Sequence, residues 1–234
     1  MKRMLTTLLP FGMAVAVLAA AVPNVSHAFT LRSPQVGFNS TSLQNYLNGI
    51  GESITVTTDQ LDAQVWTSSI SGNSTFTLMI ELAGNAASNN IGLYNTNDPS
   101  ATPALFQLFP GAAGAGWYVT AHFAGGNVSV ALFDNNGVFQ GSTFYPGVNA
   151  NGFGFYLQGP GGTFYSQDGR NGGDPQMLTY AGTGVNFGEW WECFEDLPYL
   201  GSSADFDDAI LLLQSVVPTA THAQTWGGVK SSYR

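Results

Sequence analysis

From Ser74 the chain reads S-T-F-T-L-M-I-E-L, where Phe76, Leu78, Ile80 and Leu82 alternate with Thr75, Thr77, Met79 and Glu81. That is the period of a strand with one buried face. The same texture fills most of the chain. "SITVTT", "AQVWTSSI", "GWYVTAHF", "NVSVALF", "GFGFYLQ", "GTFYSQ", "QMLTYA", "EWWECF" and "AILLLQSV" are short, β-branched or aromatic, and divided by Gly, Asn, Asp and Pro. In "NVSVALFDNNGVFQG" the step Asn136-Gly137 between two apolar stretches signals a hairpin. One stretch has another period: in "STSLQNYLNGIG", Leu43, Tyr46, Leu47 and Ile50 recur at helical spacing behind a Ser/Thr cap. The expected fold is all-β, an antiparallel β-sandwich of jelly-roll type with one short N-terminal helix. No fixed-period repeat stands out, which argues against a solenoid or propeller.

The first residues, Met1, Lys2 and Arg3, are basic, the run from Leu5 to Val22 is apolar, and Ser26, His27 and Ala28 form a small-residue cleavage pattern. Residues 1–28 therefore read as a secretory signal peptide. A retained anchor is the alternative, because the run approaches the length of a membrane span, but the small residues at the cut favour removal. The remaining 206 residues suit one domain, 29–217, followed from Pro218 by a polar tail, 218–234, with no spanning segment. The chain is expected to be secreted, extracellular or at the cell surface, with the periplasm as the alternative, and to have no membrane span once the signal is cleaved. Its single cysteine, Cys193, precludes an internal disulfide and reads as a buried thiol.

Without the signal, four basic residues (Arg32, Arg170, Lys230 and Arg234) face 15 acids, a net charge of −11. Nucleic acid is an unsuitable partner, because neutralising phosphates requires a basic footprint. From Asn171 to Val229 there is no Lys or Arg, yet eight carboxylates fall there. Solvated surface is the ordinary explanation of such a run. The alternative is a positive charge supplied from outside the chain.

The usual catalytic patterns are missing: no G-x-S-x-G, no H-E-x-x-H, no P-loop and no paired-Cys motif. Two carboxylates suffice for glycoside hydrolysis, and Trp117, Trp190 and Trp191 are candidates for stacking on sugar, so a carbohydrate-binding module or a glycan-active enzyme stays as an alternative. The densest acidic stretch is "SADFDDAILLLQ". In an extended segment Asp205 and Asp207 project to one side, Phe206 anchors on the other, and Asp208 turns back at the strand entrance. Glu195 and Asp196 precede a short Pro/Gly loop that can bring the two groups together. Glu195, Asp196, Asp205, Asp207 and Asp208 are thus candidate ligands for Ca2+, a hard cation that takes six to eight oxygens. The competing reading has the aspartates capping turns by accepting backbone N–H bonds.

Phe155-Tyr156-Leu157, Phe164-Tyr165-Ser166, Gly173-Asp174, Glu195-Asp196-Leu197 and Asp205-Phe206-Asp207-Asp208 together resemble the bacterial DUF4114 family over about residues 150–215. Two departures stand out: Asp207 occupies a place where members often carry Asn, and Gln176 one where many carry His. An extra residue also separates Trp191-Glu192 from Glu195-Asp196. The resemblance implies a secreted β-rich domain associated with cell surfaces or exopolymers, with extracellular polysaccharide or surface proteins as partners. It implies no established activity, the family being one of unknown function.

Overall fold

The computed structural model describes residues 31–35, 42–81, 85–200 and 204–219; the segment read as a signal peptide and the tail beyond Thr219 lie outside them. The described strands all pair antiparallel, in two sheets. One sheet has the order β1 (Gln60–Leu61), β11 (Met177–Ala181), β12 (Trp190–Phe194), β13 (Ala209–Gln214), β3 (Asn73–Glu81), β6 (Tyr118–Ala124), β7 (Asn127–Phe133), β8 (Phe139–Pro146). The other runs β14 (Val216–Thr219), β2 (Val65–Ser68), β9 (Phe153–Gly159), β4 (Asn90–Asn95), β5 (Leu105–Phe109), with β10 (Gly162–Tyr165) paired on β9. The β7–β8 hairpin turns at Asn136-Gly137, with Gly137 at φ 75°, the left-handed conformation that makes Gly the default there.

Alternation along the strands builds three apolar layers. Phe76, Leu78, Val119 and Leu211 from the first sheet meet Trp66, Leu93, Phe153 and Phe155 from the second in one inter-sheet core. Phe155 packs edge-on against Phe76 at 5.6 Å and Trp66 at 5.8 Å, the offset geometry aromatic quadrupoles favour. The opposite residues of the first sheet, including Leu178, Tyr180, Trp191, Cys193 and Ile210, form a second cluster beneath the helix. That helix, α1 (Leu43–Gly49), is capped by Ser42, whose side chain accepts from the Asn45 N–H at 3.1 Å, and it buries Leu43 and Leu47. The Cys193 thiol is sealed there, and burial pushes its pKa up.

On the outer face of the second sheet, Tyr94, Tyr156 and Tyr165 form a third cluster. The Arg170 guanidinium lies 5.1 Å from the Tyr94 ring centroid and 5.6 Å from that of Tyr165. It donates to Gln167 Oε1 at 3.0 Å, to Ser100 O at 2.9 Å and to Asp98 O, fastening the 96–102 loop.

Two sequence expectations are corrected. "SITVTT" is not a strand: the Asp59 carboxylate accepts from the Thr55 N–H at 2.7 Å and the Thr58 N–H bonds Thr55 O, which makes a turn. Pro218, expected to open the tail, lies inside β14, an edge strand where its missing N–H costs no ladder bond.

Candidate metal centre

The register aligns the last residue of β12, the first of β13 and the last of β3: Phe194 pairs with Ala209, and Ala209 with Glu81. The chain therefore leaves β12 through Glu195-Asp196 at the same sheet end where Asp205–Asp208 feeds β13. Glu195 and Asp196 are buried and Asp208 is half-buried, and one carboxylate oxygen from each lies within 4.8 Å of the others. Asp208 Oδ2 accepts the Asp196 N–H at 2.8 Å. Asp196 Oδ2 accepts from Asn89 Nδ2 at 3.0 Å, which reaches across from the residue just before β4 in the other sheet. Gln176 shapes the outgoing loop: its side chain donates to Leu197 O at 2.6 Å and accepts from the Tyr199 N–H at 2.7 Å.

Glu195 is the anomaly. It is 1% exposed, no N–H or hydroxyl donor among the described residues reaches its carboxylate, and its side chain meets the carboxyl of Asp208 instead. Burial raises its pKa, and the Asp208, Asp205 and Asp196 carboxylates raise it further. Asp208 is likewise raised, first by burial and then by Asp196 and Asp205. The side chains whose charges act on the two groups are all carboxylates. Carboxylates so placed stay together by sharing a proton or by holding a cation.

The approach to β13 departs from the extended segment expected. Ala204 and Phe206 take φ 50° and 57°, the left-handed region that a side chain normally avoids, so the carboxylates do not alternate as in a strand. Phe206 is anchored as expected, fully buried in the helix-side cluster and 6.1 Å from the Tyr199 ring. Asp205 falls beside Glu195 and Asp208, with a buried, unpartnered Oδ1. Asp207 likewise has a buried Oδ2 without a partner, and burial and then Asp205 push its pKa up to about 6. Of the two sequence readings, turn capping accounts for Asp208 Oδ2 and leaves unexplained the Glu195 carboxylate, Asp205 Oδ1 and Asp207 Oδ2.

Sequence reasoning missed Glu81 and Asn89. The alternation puts Glu81 with Thr75 and Thr77 on the polar face, yet the β3–β13 register shifts between Ile210 and Leu211, whose partners Ile80 and Leu78 leave Met79 bulged. Beyond that bulge the faces exchange, so that Phe76 and Leu78 lie in the inter-sheet core while Ile80 packs in the helix-side cluster. Glu81, opposite Ala209 of the inter-sheet core, thus faces between the sheets. Its pKa is pushed up to about 8, first by burial and then by Asp196 and Asp208.

The three tryptophans expected to stack on sugar pack inward instead. Trp191 is fully buried, Trp190 is edge-on to Trp66 at 6.0 Å with its indole N–H bound to Val216 O at 3.0 Å, and Trp117 packs against the inter-sheet core. In comparisons with known proteins, no family model, curated protein or solved structure matches the chain.

Proposed function

We propose that this chain is an exported, non-enzymatic β-sandwich module of the DUF4114 kind, whose acidic end holds a calcium ion, and that it serves in an extracellular matrix or at the cell surface. The observation that carries the reading is Glu195, a buried carboxylate that no N–H or hydroxyl donor reaches and that meets the carboxyl groups of Asp208 and Asp196 instead. A native protein leaves few buried polar atoms unpaired, and an ion is one of the standard partners for those it does. Every side-chain donor in the cluster is oxygen, which suits calcium over soft metals. Export would bring the site to the millimolar calcium in which a modest affinity suffices. The test is terbium luminescence on the purified chain, excited through its tryptophans and displaced by calcium. Saturable binding, lost in Glu195→Gln, supports the reading; no sensitised signal, together with no heat of calcium binding, ends it.

A second reading, binding of a neutral polysaccharide, is favoured by the outer face of β6, β7 and β8. Tyr118 and Phe133 stack there at 5.0 Å with planes 11° apart, and Phe139, 56% exposed, adjoins Phe133 at 5.7 Å. Exposed Thr120, Ser129 and Ser142 offer hydroxyls on the same face. Retention on insoluble polysaccharide that Phe133→Ala/Phe139→Ala abolishes would establish it, and equal retention of the variant would remove it.

A further inference from the structure

The inference here rests on the cation reading and extends it to residues that no acidic motif contains. We propose that Glu81 is a further ligand of the ion and that Asn89 positions Asp196 for it, so that the cation ties the ends of β3, β12 and β13 to the start of β4, and one sheet to the other.

Three observations carry this. First, the bulge at Met79 turns Glu81 out of its expected polar face and sets it opposite Ala209, the residue after Asp208, bordering the group that Glu195, Asp196 and Asp208 form within 4.8 Å; the Asp196 and Asp208 charges raise its pKa. Second, Glu81 Oε1 and Asp205 Oδ1 are buried and have no partner, and no N–H or hydroxyl donor reaches either oxygen of Glu195. Third, the Asn89 amide is oriented through its donor end, its Oδ1 being buried without a hydrogen-bond partner. It is 1% exposed, and its Nδ2 donates to Asp196 Oδ2 at 3.0 Å while favouring the Glu81 carboxylate. Its Oδ1 rests against Gly159, where an added Cβ would stand only 2.2 Å away. Flipping the amide would set its oxygen against the Asp196 carboxylate, so Asn89 is held as a donor to the two acids. Calcium needs more oxygens than Glu195, Asp196 and Asp208 supply with one each, and Glu81 and Asp205 are the adjoining carboxylates able to add them.

The experiment is calcium titration calorimetry on the full chain, in the wild type, Glu81→Gln and Glu195→Gln, with melting temperatures of all three in EDTA. The expected result is binding in the wild type, none in Glu195→Gln, and at least tenfold weaker binding in Glu81→Gln. The EDTA melting temperature of Glu81→Gln should equal or exceed that of the wild type, because one uncompensated carboxylate is gone. If Glu195→Gln abolishes binding while Glu81→Gln binds within twofold of the wild type, the assignment of Glu81 is overturned and the cation reading stands. If Glu81→Gln loses affinity and also melts lower in EDTA, Glu81 acts through the fold and its role as ligand is overturned. If the wild type binds no calcium, both fall together.

Discussion

Glu192 offers the sharpest test of the packing argument because it is a carboxylic acid walled into the protein away from the acidic end. It sits mid-strand in β12 between Thr179 of β11 and Leu211 of β13, and its neighbours Trp191 and Cys193 face the helix-side cluster, which turns Glu192 toward the inter-sheet core. It is fully buried, and one oxygen receives the Thr179 hydroxyl at 2.5 Å while the other, Oε1, has no partner. Burial pushes its pKa up to about 8. A carboxylate raised in the folded state holds its proton there while the unfolded chain has already released it. Its contribution is therefore intact below the unfolded value near 4.5 and declines as pH rises toward about 8. The slope is about 1.4 kcal/mol per pH unit, or on the order of 4 kcal/mol over the window. Glu192→Gln keeps the shape and removes the titration. Urea unfolding of both proteins at pH 5, 6, 7 and 8, in constant saturating calcium, should find them within about 1 kcal/mol of each other at pH 5. By pH 8 the variant should be the more stable by several kcal/mol. A difference in stability that does not change between pH 5 and 8 would refute the reasoning.

Two further outcomes follow from single contacts. Gly159→Ala places a methyl where Asn89 Oδ1 lies, at 2.2 Å, so it should cost about 1–3 kcal/mol and weaken calcium binding through Asp196; the two are read by urea unfolding and calorimetry. Arg170→Ala removes the bonds to Gln167, Ser100 and Asp98 and the stacking over Tyr94 and Tyr165, so it should cost about 2–3 kcal/mol and open the 96–102 loop to proteolysis ahead of global unfolding.

Much of the sandwich was legible because its strands carry a one-sided pattern. The β7–β8 hairpin shows in Asn136-Gly137, β3 in its alternation, and α1 in the spacing of Leu43 and Leu47 behind Ser42. β4, "NIGLYN", was not legible: it is buried on both faces, flanked by Asn, and interrupted by Gly92, whose missing side chain makes room for Phe106 O and the Tyr156 ring. β14 hid behind Pro218, which reads as a breaker unless the strand is known to lie at an edge. At the candidate site, Glu195, Asp196 and Asp208 were readable as acids close in sequence to one sheet end. Glu81 and Asn89 were not, because a one-residue bulge reverses the face of Glu81 and a crossing between sheets delivers Asn89, and neither event leaves a periodic trace. The left-handed conformations of Ala204 and Phe206 likewise leave no periodic trace, so the segment before β13 read as extended.

Thermal unfolding of the full chain in EDTA and in calcium shows whether a divalent cation completes the uncompensated carboxylates at the end of β12, β13 and β3. With calcium at a hundred times its dissociation constant the fold gains about 2.7 kcal/mol. For a domain of this size that is a rise of about 5–10 °C in melting temperature. The account expects that rise in the wild type and its absence in Glu195→Gln. Equal melting temperatures of the wild type in EDTA and calcium would contradict it, and would mean that Glu195 and Asp208 are held together by a shared proton.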